Sequence, residues 1–171
     1  SLANKEFFWR ELWEFCGVVG EPGDRTLIDG HLMPGAKWFP DAQLNFAENL
    51  LRKRGSDDAL VFCNEHGDRR RLSFDALRLD VARAQRALRD AGVQAGDRVA
   101  SMLPNIPEAA IAMLGATSIG ATWSSSSPDF GVQGVLDRFA QIEPKLLFAV
   151  NGYFYNGKFI DTRDKVREIA A

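Results

Sequence analysis

The sequence predicts an α/β fold: an N-terminal helical arm, then a β-hairpin, then a β-α-β-α-β unit with a parallel sheet. Three observations carry this prediction. Phe74, Leu77, Val81, Ala84, Leu88 and Ala91 recur at three- and four-residue steps, the period of an amphipathic helix. The turn-forming group Glu65-His66-Gly67-Asp68 separates two strand-like runs. From Arg98 onward, strand-length and helix-length apolar segments alternate, a pattern that packs as parallel strands joined by right-handed crossovers.

In chain order, residues 4–16 read as a helix, with Asn4 as cap, Glu6 in the first turn and Gly17 as the stop. Phe7, Phe8, Trp9, Leu12, Trp13, Phe15 and Cys16 wrap most of its circumference, so it is expected to be covered on nearly all sides. Residues 17–37, rich in Gly and Pro, read as an irregular connector. A second helix is expected over 41–54 with Asp41 as its cap. The hairpin follows as 59–64 and 69–72, and Ser73 caps the amphipathic helix that Gly92 closes. Strands are expected at 98–103, 121–124 and 145–150. Helices are expected at 106–119, with Pro107 in the first turn, at 130–141 and, after a Gly- and Tyr-containing loop, at 162–171. The domain expectation is an arm and connector over 1–55 and an α/β domain over 56–171. Three parallel strands leave a sheet edge and at least one face to be covered, so more chain, or a partner copy meeting the exposed edge, is expected.

Composition excludes several classes. A formal net charge of −2 gives no electrostatic footprint for nucleic acid or an anionic membrane. The short basic runs Arg52-Lys53-Arg54 and Arg69-Arg70-Arg71 read as solvated edges. No apolar stretch is long enough to cross a bilayer, and no basic-then-apolar leader opens the chain, so the cytoplasm is the expected compartment. Cys16 and Cys63 have no framework spacing and are expected as buried thiols of a reducing compartment.

Most catalytic signatures are absent from the sequence. No G-x-x-x-x-G-K-[ST] loop and no G-x-G-x-x-G follows a strand. Ser118 falls in mid-helix with glycine spacing wrong for a nucleophile elbow. His31 and His66 have no metal-ligand spacing to each other or to a cysteine, so no catalytic residue and no metal ligand is assigned. One region stands out, because parallel α/β units bind ligands beyond the carboxyl ends of their strands. Those ends are the loops 104–107, 124–129 and 151–158. The second carries Ser124 to Ser127, Pro128 and Asp129 and leads into a helix start, where free N–H groups suit a phosphate or carbonyl group. The third offers Tyr153, Tyr155, Asn156 and the cation Lys158. The same Ser-Pro-Asp run also suits ordinary turn and capping chemistry.

The segment WFPDAQLNFAENLL (Trp38–Leu51) resembles the opening of adenylate-forming acyl-CoA synthetases. Gly96-Asp97-Arg98-Val99, Leu103-Pro104-Asn105-Ile106-Pro107-Glu108 and Gly120-Ala121 are similar to the general pattern of that superfamily. The stretch Ala121–Lys158 is most similar to its acetoacetate-activating branch; acetate-activating members carry a glycine pair where Pro128-Asp129 stands. The resemblance implies an incomplete part of the large N-terminal domain of an adenylate-forming enzyme. The implied reaction is a two-step ligation: ATP and acetoacetate give an acyl-adenylate and pyrophosphate, and coenzyme A then displaces AMP. ATP and coenzyme A are the implied co-substrates, with Mg2+, and none is expected tightly bound to this chain. The implied partners are small molecules and further polypeptide of the same protein, which carries the phosphate loop, hinge and catalytic lysine, so this chain alone is expected to be inactive. A binding or scaffold module derived from such an enzyme, or a ligase for another short acid, stands as the alternative. Residue by residue, the resemblance implies only coenzyme A contacts: Ser126, Ser127, Pro128, Asp129 and Phe130 beside the pantetheine arm, and Tyr155, Asn156, Gly157 and Lys158 near the nucleotide 3′-phosphate. In that last segment an expected arginine is replaced, the loop around Tyr155 is one residue longer, and Lys158 is the cation available, as a point charge.

Overall fold

The computed structural model describes residues 4–171. The chain divides into two units, one ending at Leu50 and one running from Leu51 to Ala171.

In the first unit, α1 (Lys5–Phe15) starts where Asn4 Oδ1 accepts from the Phe7 N–H at 3.1 Å. Trp9 packs edge-on against Trp38 and Trp13 against Phe39. Cover is limited to that stripe, contrary to the expectation from its all-round apolar surface: no residue of α1 is buried, and Phe15 is 88% exposed. The connector is more ordered than its composition suggests. Within it, β1 (Gly20–Glu21) pairs antiparallel with β4 (Gln43–Leu44), and β2 (Leu27–Ile28) with β3 (Lys37–Trp38). Two-residue strands are too short to display a period of two, which is why the sequence shows no alternation there. The second helix is also shorter than expected: α2 is Phe46–Leu50. Asp41 does not cap it, because Arg25 Nε donates to Asp41 Oδ2 at 2.7 Å. Asn45 takes that role, accepting from the Glu48 N–H at 3.1 Å.

In the second unit, β5 (Asp58–Cys63) and β6 (Arg69–Ser73) form the expected hairpin, with Cys63 opposite Arg69. Asn64 Oδ1 closes its turn by accepting from the His66 and Asp68 N–H groups. Helix α3 (Phe74–Asp90) begins where Ser73 Oγ accepts from the Ala76 N–H at 3.1 Å. The alternating region then gives β7 (Arg98–Met102), α4 (Pro107–Ser118), β8 (Thr122–Ser126), α5 (Val132–Phe139) and β9 (Leu146–Ala149). The unit ends with β10 (Gly152–Tyr155), β11 (Lys158–Asp161) and α6 (Arg163–Ala170).

The parallel sheet has the order β8-β7-β9, with β7 in the centre. The first crossover moves the chain to one side of β7 and the second carries it back past β7 to the other. Two crossovers of the same hand moving in opposite directions must lie on opposite faces. Accordingly, Leu88, Val93 and Ala116 pack on the Val99 side, while Val135 and Phe139 pack on the Ala100 and Met102 side, joined by Val166 and Ile169 of α6. Both faces are therefore covered, whereas the sequence led us to expect one bare face. Alternate residues of β7 serve the two cores, and Val99, Ala100 and Met102 are all fully buried. Gly115 lets α4 approach α3 closely, since a Cβ there would lie 2.9 Å from the Ala84 Cβ.

Two further expectations change. Cys16 and Cys63 are exposed, not buried, because each stands at the end of its element, beyond the apolar packing. Residues 151–158 are not a loop: they contain β10 and the start of a second hairpin. Among the described residues, no helix is long and apolar enough to cross a membrane.

Leu88 is 1% exposed and sits between α3 and the sheet. Leu88→Ala is expected to cost about 2–5 kcal/mol of unfolding free energy, read from a urea titration. Gly115→Val is expected to lower the midpoint in the same titration, because α3 and α4 cannot separate without opening the core beneath them.

Candidate functional site: the carboxyl rim of the parallel sheet

The register places Met102 opposite both Ser126 and Ala149, so all three strands end at one rim. Ladder pairing with Ala100, Ser101 and Met102 draws Ser124, Ser125 and Ser126 into β8, and the serine turn begins at Ser127. Ser126 and Pro128 are buried there, while Asp129 and Phe130 are exposed. Ser127 Oγ shapes the turn from within, donating to Asp129 Oδ2 at 2.9 Å and accepting from the Asp129 N–H at 3.3 Å. The Phe130 ring lies under the Arg138 guanidinium, 4.3 Å from it, at the start of α5.

The second segment is a tight hairpin. Asn156 and Gly157 have φ of 50° and 72°, a type I′ turn that closes between Tyr155 and Lys158. An Asn-Gly pair flanked by alternating residues is the signal that reveals such a hairpin in a sequence. Opposed residues of an antiparallel ladder share a face, so Tyr153 and Ile160, and Tyr155 and Lys158, lie on one side, with Phe154 and Phe159 on the other. The Phe159 ring crosses over Gly152, where a Cβ would come within 2.2 Å of it, so only glycine fits. Thr162, fully buried, donates its hydroxyl to the Val150 carbonyl and closes the base of the hairpin.

One hydrogen bond joins the two segments. The Tyr153 hydroxyl donates to Asp129 Oδ1. The face of the hairpin that bears Tyr155 and Lys158 is thus the face turned to the serine turn. The opposite face meets the first hairpin, where His66 packs edge-on to Phe154 and Glu65 Oε1 accepts from the Gly157 N–H at 3.0 Å. Asn156 and Gly157 therefore sit at a tip tied toward Glu65, away from the serine turn. The Lys158 ammonium is engaged by no hydrogen bond or ion pair among the described residues. Arg163, by contrast, is held by Asp161 through its Nε at 3.1 Å and 3.0 Å. An unengaged cation on an exposed hairpin fits a phosphate group.

Between the two hairpins and the 104–106 segment lies a cleft of about 430 Å³, lined among others by Cys63, Glu65, Asn105, Tyr153 and Phe154. Asn105 falls in the 104–107 loop expected at the strand ends, whereas Cys63 and Glu65 have no such signal: their approach depends on long-range packing of the hairpins that no local pattern carries. His31 is exposed in the first unit, and the His66 ring packs against Phe154 with its Nε2 3.8 Å from Glu65 Oε1. Among the described residues, no group of three or more His, Cys, Asp or Glu is placed to hold a metal ion.

Hydrogen bonds from Tyr153 and Ser127 hold the Asp129 carboxyl below its ordinary value. Burial and the bond to Asp129 push the Tyr153 phenol up to about 12. The carboxylate contributes above the ordinary carboxyl range and is lost as pH falls through its depressed value. The phenol contributes fully below about pH 10 and is lost as pH rises through its raised value. The link is therefore intact from about pH 5 to about pH 10.

The AMP-binding enzyme family matches residues 46–170, and the family described as the acetyl-coenzyme A synthetase N-terminus matches residues 1–50. The chain is 55% identical over 170 residues to the acetoacetyl-coenzyme A synthetase of Rhizobium meliloti (strain 1021), covering 99% of this chain and 26% of that protein. It is 43% identical over 173 residues to the acetoacetyl-CoA synthetase of Macaca fascicularis, again covering 99% of this chain and 26% of the relative. In structure it matches the acetoacetyl-CoA synthetase from Streptomyces lividans with a TM-score of 0.91 and 44% identity, over 96% of this chain and 26% of that one. The chain thus spans about a quarter of the length of these relatives.

Tyr153→Phe removes the bond to Asp129 and is expected to speed amide hydrogen exchange across residues 152–161 roughly two- to tenfold at pH 7, with smaller change in β7. With 125 of its 171 residues, from 46 to 170, matched by one family, the chain belongs to the AMP-binding enzymes.

Proposed function

We propose that the protein carrying this chain is an ATP-dependent acetoacetate–CoA ligase, forming acetoacetyl-CoA, AMP and pyrophosphate from acetoacetate, ATP and coenzyme A. The observation that supports this most is 55% identity over nearly the whole chain to a protein named for that activity. In this reading ATP, with Mg2+, and coenzyme A are the co-substrates, the remaining partners are further polypeptide of the same protein, and the compartment is the cytoplasm.

The contribution we assign to this chain is a coenzyme A-binding rim. Ser126, Ser127, Pro128, Asp129 and Phe130 form one wall, beside the neutral arm of the cofactor. Tyr155 and Lys158 form the other, with Lys158 as the cation for a phosphate; Asn156 and Gly157, at the tip tied toward Glu65, serve this wall only by closing the turn between those two residues. The Tyr153–Asp129 bond supports this reading, because it turns the Lys158 face of the hairpin toward the serine turn. Asp129 itself brings negative charge to that rim, and its bond with Tyr153 directs one carboxylate oxygen to a donor inside the protein, away from the ligand. No acid–base or nucleophilic role falls to these residues; they bind and orient.

The edge strands β8 and β9 each have one partner among the described residues. Self-association of the isolated chain through those edges belongs to the same proposal, and a clean monomer by light scattering at high concentration would remove it.

The full-length protein is expected to show acetoacetate-dependent ATP–pyrophosphate exchange and coenzyme A consumption, whereas residues 1–171 alone show no exchange. Exchange by the pure 171-residue chain would overturn the expectation that this chain alone is inactive, and a full-length protein without acetoacetate-dependent exchange would sink the assignment. Lys158→Ala in the full-length protein is expected to raise the KM for coenzyme A roughly 3- to 30-fold with kcat nearly unchanged, the signature of lost ground-state binding.

A further inference from the structure

Lys165 lies in the first turn of α6 and is half-buried. Its Nζ donates to the Pro128 carbonyl at 2.7 Å and to the Phe130 carbonyl at 3.0 Å. Neither carbonyl belongs to a helix or strand, and a cation shared between two neutral acceptors forms stronger bonds than a neutral donor would. The helix bearing Lys165 is itself fixed, because Val166 and Ile169 pack into the core under α5 and Thr162 ties its start to Val150.

The consequence for the turn is directional. In a planar trans peptide the C=O and the following N–H point opposite ways. Holding the Pro128 and Phe130 carbonyls toward Lys165 therefore turns the Asp129 and Gly131 N–H groups to the opposite side. The Asp129 N–H is accounted for by Ser127 Oγ, and Gly131 is the residue from which α5 starts. Two tethers thus act on one turn: Tyr153 on the Asp129 side chain, and Lys165 on the backbone on either side of it. Without the ammonium, the partly buried Pro128 carbonyl and the exposed Phe130 carbonyl lose their shared donor, and the turn is free to rotate about Asp129.

We propose that Lys165 is a positioning residue for coenzyme A: it fixes the backbone of residues 128–131 in the orientation that receives the cofactor, without touching it. The inference rests on the coenzyme A rim proposed above and adds to it a residue outside the two segments that form the rim.

The test uses the full-length protein. Lys165→Met keeps the aliphatic stem and removes the charge. It is expected to raise the KM for coenzyme A roughly tenfold while kcat and acetoacetate-dependent ATP–pyrophosphate exchange stay within about twofold. Lys165→Arg, which can still donate to both carbonyls, is expected to restore the KM to within about threefold of the parent. Independently of turnover, deuterium uptake at residues 129–131 is expected to rise in Lys165→Met and fall back in Lys165→Arg. Should Lys165→Met fail to fold, Lys165→Gln, with a single amide donor, takes its place with an intermediate KM expected. An unchanged KM for coenzyme A, or a proportional loss of pyrophosphate exchange and coenzyme A turnover, overturns the positioning role while leaving the ligase reading standing. A parent protein that exchanges pyrophosphate with no acid, or consumes no coenzyme A, overturns the ligase reading and the inference with it.

Discussion

The structure depends on the pairing of β7 with two parallel neighbours at once. Met102 stands opposite Ser126 on one side and Ala149 on the other, so the segments that leave β8 and β9 emerge side by side. A central strand is buried on both faces and largely apolar, as Val99, Ala100 and Met102 are here, with Ser101 the one buried polar residue among them. Because crossovers keep one hand, the same pairing sends α4 to one face and α5 to the other. The crevice between oppositely directed crossovers is where α/β sheets receive ligands, and here it opens between the ends of β7 and β8.

Long regular elements were legible in the sequence because their signals are repeated many times. The period of α3, the caps at Asn4 and Ser73, and Pro107 at the first turn of α4 each find their place in the structure. What failed was short or non-local. Asp41 has the chemistry of a helix cap, but Arg25, sixteen residues earlier, pairs with it, leaving Asn45 to start α2. The two-residue ladders of the first unit lie below any detectable period. The burial expected of both cysteines rests on their number and spacing, which say nothing of the exposed element ends where they stand. The carboxyl rim could be inferred as a place from strand order. Its composition could not: Tyr153–Asp129, Lys165–Pro128 and Glu65–Gly157 join residues 24, 37 and 92 positions apart.

Charge at the rim is arranged so that most of it is internally matched. Arg163 is held by Asp161, whose carboxyl is drawn down to about 2 by that guanidinium. Lys165 is spread over two carbonyls, and Asp129 receives two hydroxyl donors. Lys158 is left as an unengaged cation on this hairpin. A site that shields its other charges and leaves one available discriminates by position more than by total field, since matched pairs contribute little attraction at a distance.

The two-residue turn at Asn156-Gly157 has an evolutionary corollary. Side chains along a strand alternate in direction, so parity, rather than length, decides which way Lys158 projects. Gaining or losing a single residue between Lys158 and the anchor at Thr162 would swing the ammonium to the Phe154 side, toward His66. Drift in this hairpin is therefore quantised: paired insertions preserve the polarity of the rim, and solitary ones invert it.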